Sequence, residues 1–434
     1  MADLIVQGGK PLSGEITPSG YKNSIVALIP ATLLTDSVVT FTNVPEITDV
    51  RNMLRFLISI GSKVKWDKKA KTLRIDNSKV GKDGKLDLSA YPTNMGSAKM
   101  LLPGLLYRMK NISISKKLKG CTLGIRDDEV DYEFWANMGV KIKMTETTQE
   151  LSINERFIGS ENWADYQGVT STENFLLSAV LAKGKSTLIN SASEPQVQDV
   201  AAFLTMLGAD IQGAGTNRLE VRGVEKLEGE NITFRVTDDY YEIATFLALG
   251  AMTGGEITVK MHSHEHMGMI YKTFGNLGVK LDIGDDYVTV KPVKHLKLKA
   301  TTQKNMLRKV EAAPWPYFPV DLMPPFIALG TKVDGNILFW NKIYEGALHW
   351  ITELMKFGAH VHMSDPHRVI VFGGTKLNPA VVDAPYIIRV AVALFMMGAA
   401  TEGRSVIKSA DTIKRAHPNF VENLHKLGAD VEWK

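Results

Sequence analysis

The only cysteine of the chain lies in Gly120-Cys121-Thr122-Leu123-Gly124-Ile125-Arg126, with Lys116, Lys117 and Lys119 before it and Arg126 closing the segment. Nearby cations favour a thiolate, and glycines let backbone bend where a ligand comes close. The same pattern also suits a small buried residue at a turn. Lys22-Asn23 opens an apolar stretch directly after Ile16-Thr-Pro-Ser-Gly20, where a cation and an amide can join backbone N–H groups in holding an anion. Asp321 follows the rigid Pro314-Trp-Pro-Tyr-Phe-Pro319 loop, so its carboxylate is a candidate general base or, equally, a helix N-cap. Arg389 stands within Ile387-Ile-Arg-Val-Ala-Val, where burial of a guanidinium demands an anionic partner, and Arg415 falls in the last strand-to-helix loop. His262-Ser-His264-Glu265-His266 would put three imidazoles on one face of a strand, as a transition metal requires. The segment falls where a strand passes into a helix and no further ligand is evident, so a polar rim loop and no metal are expected.

These residues must be placed by elements, and the elements repeat. Six times an amphipathic helical pattern ends in an apolar residue and a glycine, at Gly61, Gly139, Gly208, Gly278, Gly358 and Gly428, and a short alternating strand follows. Upstream of each glycine an apolar, Ala/Gly-rich helix leads into another short strand. Phe175 to Gly184 followed by Ser186-Thr-Leu-Ile-Asn is an example, with a second helix from Val197 to Leu207 whose Val197, Val200, Leu204 and Leu207 share one face. Counterparts of the first helix end at Phe246 to Gly250, Phe326 to Gly330 and Leu394 to Gly398. The repeat of roughly 70–80 residues exceeds solenoid periods, so each unit is a small α/β module. Helices apolar nearly all round are expected inside, with sheets packed outside them. Six modules suggest two similar domains of three. Lys294-His-Leu-Lys-Leu-Lys299 reads as an edge strand with its charges outward.

Composition narrows the function. At 434 residues the chain exceeds the size of a single core. One cysteine excludes an internal disulfide, and no Cys/His spacing suits structural zinc. The start has no basic segment followed by an apolar run, and no apolar stretch approaches the ~20 residues that span a bilayer, so cytoplasmic residence is expected. A net charge of +4 fits a small anionic substrate and argues neither for nucleic acid nor for a membrane surface.

Taken together, Ser19-Gly-Tyr-Lys22-Asn23, the Cys121 segment, Thr172-Glu-Asn174, Glu194-Pro-Gln-Val-Gln-Asp199, Phe318-Pro-Val-Asp321, Arg389 and Arg415 resemble the enolpyruvyl transferases, and the similarity runs end to end. Lys-Asn at 22–23 and the Cys segment resemble the branch acting on a UDP-sugar rather than the one acting on shikimate 3-phosphate. The resemblance implies two inside-out α/β barrels, each of three modules, with residues 1–21 and 235–434 in one domain and 22–234 in the other. It implies transfer of the enolpyruvyl group of phosphoenolpyruvate to the 3′-hydroxyl of UDP-N-acetylglucosamine with release of phosphate, the first committed step of peptidoglycan precursor synthesis. Cys121 would be the general acid on a lid loop, open to capture by an epoxide such as fosfomycin. Asp321 would be the base or orienter of the hydroxyl, with Lys22 as the third catalytic residue. Lys22, Asn23, Arg126, Arg389 and Arg415 would hold phosphoenolpyruvate. Asn23, Arg126, Asp127, Asp128, Glu129, Val130, Tyr166, Gln167, Gly168, Val169, Asp321 and Ile343 would contact the nucleotide sugar. No metal, prosthetic group or obligatory protein partner is implied.

The chain departs from the family pattern at defined places. Gly96 stands where the family has an arginine, and Lys99 is expected to present a cation on the same helical face. Asp127-Asp-Glu129-Val-Asp131 replaces Pro-x-Asp-x-His, Tyr166-Gln-Gly168-Val-Thr170 lacks a lysine, and Tyr240 and Ala347 each replace an arginine. The departures fall on the acceptor side. They leave open a related transferase with another nucleotide or sugar acceptor, and a non-catalytic repeat protein that binds a nucleotide sugar. The retained Cys121, Lys22 and Asp321 weigh against the latter.

Overall fold

The computed structural model describes residues 2–115, 129–303 and 306–434. The described residues fall into two compact units, one made of 2–19 and 238–434, the other of 20–115 and 129–237. In the second, three apolar helices alternate with three amphipathic ones: α1 (Lys22–Ala31), α2 (Thr48–Ser59), α3 (Leu101–Met109), α4 (Glu129–Asn137), α5 (Val169–Ala179) and α6 (Pro195–Met206). The first repeats the alternation with α7 (Tyr240–Thr253), α8 (Gly268–Asn276), α9 (Met323–Thr331), α10 (Ile351–Lys356), α11 (Ile388–Ala399) and α12 (Phe420–Lys426).

The odd-numbered helices form the interiors because their sequences leave no polar face to show to water. Every residue of α11 from Arg389 to Ala399 is buried, and so is Ser24 to Ala31 of α1. Each fully buried Leu, Val, Phe or Met contributes about 1.5–3 kcal/mol, so these helices can carry an occasional charge that a thinner core could not. α11 packs on α9, and α9 on α7. Their even-numbered partners bury only one stripe, as Val50, Met53, Leu54 and Leu57 do in α2. The glycine that ends each even-numbered pattern takes positive φ, from 77° at Gly278 to 98° at Gly61, which turns the chain back into a strand.

Three sheets enclose the helices of each unit, so each is an inside-out α/β barrel. Five of the sheets have four strands, and in each a parallel strand flanks the strand that follows the apolar helix, as Glu161–Trp163 flanks Lys185–Ile189. The sixth, Asn111–Ser115, Thr148–Ser152 and Lys141–Met144, has three among the described residues. Strands alternate buried and exposed residues, as in Thr72–Asp76 where Leu73 and Ile75 face inward. The sheet of the last module borrows a strand: Leu4–Gly8 lies between Gly403–Lys408 and Asp430–Trp433, antiparallel to both.

One detail differs from the sequence reading. Lys294–Lys299 is not an edge strand. Its only ladder contact is the Lys297–Asp334 bridge, after which the Lys299 N–H turns to the Asn276 carbonyl, too short a pairing for a strand. The three histidines lie in the loop expected for them, since the strand ends at Lys260 and they follow in a turn. The backbone N–H of His262 donates to Asp238, His264 Nδ1 meets the Tyr271 hydroxyl at 2.7 Å, and the His266 ring packs on Trp315 and Tyr240. Among the described residues no group of three or more His, Cys, Asp or Glu is placed to hold a metal ion, and no helix is long and apolar enough to cross a membrane.

Candidate functional site

In the 20–237 unit, α1 begins at Lys22, so the lysine and Asn23 occupy its first turn. The start is fixed by close backbone packing: a Cβ on Gly20 would stand 1.8 Å from the Asn43 carbonyl oxygen, and the Tyr21 N–H donates to the Thr237 carbonyl. Lys22 Nζ lies 2.8 Å from Asp49 Oδ2 on α2, both mostly buried. The Asn23 amide donates to the Tyr21 hydroxyl at 3.2 Å. One residue on, Ser24 donates to Asp199 of α6, whose second oxygen accepts from Thr237 at 2.8 Å.

Lys99 has its charge committed within this unit. Its ammonium pairs with the buried Asp131 of α4, so the lysine expected to stand in for an arginine is held against one of the carboxylates that replace the family pattern. Of the acidic run, Glu129 opens α4 and is exposed, and Val130 is buried beneath it. Cys121, Arg126, Asp127 and Asp128 lie outside the described residues. At the start of α5, Gly168 is the N-cap and Val169 the first helical residue. Tyr166 is exposed with its ring over Gly168, and the Gln167 amide donates to the Ser191 carbonyl at 3.2 Å. α5 then buries Glu173, whose carboxyl is pushed well above the usual carboxylate range by burial and, after that, by Glu194 and Asp199.

In the other unit Asp321 sits in the single turn Val320–Leu322 that runs into α9. Neither that turn nor α9 has a side-chain cap, so Asp321 is not the N-cap that its position allows. Among the described residues its half-buried carboxylate receives no hydrogen bond. Ile343 follows a tight turn in which Asn341 Oδ1 accepts from the N–H groups of Ile343 and Tyr344, at 2.9 and 3.1 Å. Arg415 ends the turn Ala410–Arg415 with its guanidinium 5.1 Å from the centre of the Tyr386 ring. Tyr240 is buried against Tyr241, His266 and Trp315, and Ala347 is buried.

Arg389 is the most constrained of the cations. It is 8% exposed, with Nη1 2.7 Å from His417 Nε2, Nη2 3.9 Å from Asp239 Oδ2 and its guanidinium carbon 5.0 Å over the Tyr241 ring. Asp239 caps α7 by accepting from the N–H groups of Tyr241 and Glu242, and burial holds its carboxyl above the ordinary range although Arg389 pulls it down. Glu242 is also buried. Burial raises its carboxyl, but His417 and the Ser19 N–H, 2.6 Å from Oε2, bring it below the usual range. Asp239, Glu242, His417, Glu173 and Asp49 were not among the residues expected from the sequence. Asp239-x-x-Glu242 before an apolar run has the spacing of a capping box, which would have pointed to the first two. In the fold Glu242 turns instead to Ser19 and His417.

Twin inside-out barrels of three modules each define a fold shared with enolpyruvyl-transferring enzymes. The crystal structure of the enolpyruvyl transferase NikO from Streptomyces tendae superposes with a TM-score of 0.87 over 100% of this chain and 99% of that one, at 22% identity. The pattern of the EPSP synthase (3-phosphoshikimate 1-carboxyvinyltransferase) family matches residues 6–424, and the chain belongs to that family. Among curated relatives, the UDP-N-acetylglucosamine 1-carboxyvinyltransferase of Borreliella burgdorferi is 33% identical over 100% of this chain and 99% of its own length. The enzyme of the same name from Bradyrhizobium diazoefficiens is 34% identical over 99% and 97%.

Proposed function

We propose that the chain transfers the enolpyruvyl group of phosphoenolpyruvate to the 3′-hydroxyl of UDP-N-acetylglucosamine and releases phosphate. The observation that carries this reading is full-length identity of 30% or more to relatives bearing that one activity in their names. The reaction runs by addition and elimination. In the first step carbon 3 of the enol gains a proton, carbon 2 forms a bond to the acceptor oxygen, and the hydroxyl gives up its proton. In the second, carbon 3 returns a proton as the carbon–oxygen bond to phosphate breaks. Asp321 is suited to the hydroxyl proton, since its carboxylate is neither capping a helix nor hydrogen-bonded among the described residues. Cys121 is the proposed acid toward carbon 3. Lys22, on the first turn of α1, together with Arg126, Arg389 and Arg415 supplies charge for the phosphate and carboxylate, and Asn23 beside it adds an amide. Residues 126–130, 166–169 and 343 are the proposed contacts of the nucleotide sugar. The reaction is proposed to run in the cytoplasm, without an obligatory protein partner.

A second reading, a related transferase with another acceptor, is favoured by Tyr240, whose packing against Tyr241, His266 and Trp315 puts aromatic rings where the family pattern has a cation. Phosphate release from phosphoenolpyruvate with a panel of acceptors separates the two. Release with UDP-N-acetylglucosamine supports the first, release only with another nucleotide or sugar the second, and none with any acceptor refutes both.

A further inference from the structure

We propose that His417 is a positioning residue that fixes the guanidinium of Arg389 and ties the Arg415 turn to it. The inference rests on the reading of Arg389 and Arg415 as holders of the anionic donor. A guanidinium has N–H donors and no acceptor, so the 2.7 Å contact requires His417 Nε2 to be the unprotonated, accepting nitrogen. The ring proton then sits on Nδ1, which faces Glu242 Oε1 at 3.5 Å. Glu242 is itself held by the Ser19 N–H, and the imidazole is 1% exposed with its ring 5.8 Å from that of Phe420. A chain of contacts from Ser19 through Glu242 and His417 thus sets the plane of Arg389.

His417 lies two residues beyond Arg415, directly after the turn that carries it. One imidazole therefore fixes the register between the helix bearing one arginine and the turn bearing the other. The charged groups facing it are Arg389 of α11 and Asp239 and Glu242 at the start of α7. On its own segment, Lys414 and Arg415 point to the Trp433 and Tyr386 rings, and α12 offers Phe420, which does not titrate. Protonation of His417 would set a donor against the N–H of Arg389 and undo the contact.

The test is kcat and both KM values in wild type, His417→Leu and His417→Gln. Leucine removes the acceptor, whereas the glutamine carbonyl can reach the place of Nε2. The leucine variant is expected to raise KM for phosphoenolpyruvate roughly 10- to 100-fold, the span of a lost hydrogen bond to a charged group, with KM for the acceptor unchanged. The glutamine variant should recover most of that loss, because its carbonyl restores the acceptor. A leucine variant that melts like wild type with unchanged KM for phosphoenolpyruvate overturns the inference. Should the leucine variant not fold, His417→Asn decides, since its shorter side chain cannot reach the place of Nε2, and an unchanged KM for phosphoenolpyruvate in it overturns the inference. Wild type that transfers nothing to any acceptor overturns the functional reading and this inference with it, whereas an active wild type with unaffected variants overturns this inference alone.

Discussion

Replacing Glu173 by glutamine will stabilise the protein, and the gain will grow with pH. Glu173 is 2% exposed, its Oε1 has no hydrogen-bond partner among the described residues, and the carboxylates of Glu194 and Asp199 raise further a carboxyl already raised by burial. The native state therefore keeps the Glu173 proton at pH values where the unfolded chain, at the ordinary 4.5, has lost it. Unfolding then releases one proton, so stability is full below the unfolded value and falls as pH rises toward the native one. One proton corresponds to about 1.4 kcal/mol per pH unit, so from pH 5 to pH 7 the wild type loses at most about 2.7 kcal/mol relative to the glutamine variant. Urea unfolding can be followed through Trp135, which is buried on α4 and hydrogen-bonded to Ser178 of α5. Proton release on unfolding in weak buffer is a second readout and should be smaller in Glu173→Gln. A stability gap that stays flat, or closes as pH rises, refutes the reasoning.

Asp321→Asn should lower kcat by roughly 10²- to 10⁴-fold, as measured by phosphate release, and move stability by less than about 0.5 kcal/mol because no hydrogen bond is lost. An asparagine variant with wild-type turnover would remove Asp321 from the chemistry. Gly20→Ala places a methyl against the Asn43 carbonyl and should cost about 1–3 kcal/mol in urea unfolding, with a higher KM for phosphoenolpyruvate because the first turn of α1 shifts. Unchanged values for both would mean that the packing there yields easily. Cys121→Ser should abolish the covalent adduct with an epoxide inhibitor, read by mass spectrometry, and persistent labelling would assign the reaction to another residue.

The module architecture was legible because it depends on local chemistry. A glycine after an amphipathic stripe, as at Gly61 or Gly358, is needed wherever a helix must reverse through positive φ, and Val197, Val200, Leu204 and Leu207 announce their buried face by spacing alone. Asp321 illustrates what sequence leaves open, since a carboxylate before an apolar helix reads equally as a cap or a base until cap geometry decides. An arginine inside an apolar helix announces a buried partner but not which one. The partners of Arg389 come from positions 239, 241 and 417, a separation that no local pattern encodes. The partner of Lys99 is hidden for the same reason, because Asp131 lies on a different helix. Lys294–Lys299 alternates like a strand, yet only one of its residues finds a neighbour to pair with.

The borrowed strand carries a consequence for biosynthesis. Leu4–Gly8 is made roughly 400 residues before both of its neighbours, Gly403–Lys408 and Asp430–Trp433, a gap of about 20–80 s at 5–20 residues per second. Until then Leu4, Ile5 and Val6, all buried in the finished sheet, have no ladder to join. The strands described in the 20–237 unit pair only among themselves, so that unit can finish while the first strand waits. An apolar segment idle for most of translation is a natural client for a chaperone, and the chain's exposure to aggregation is greatest while it is being made.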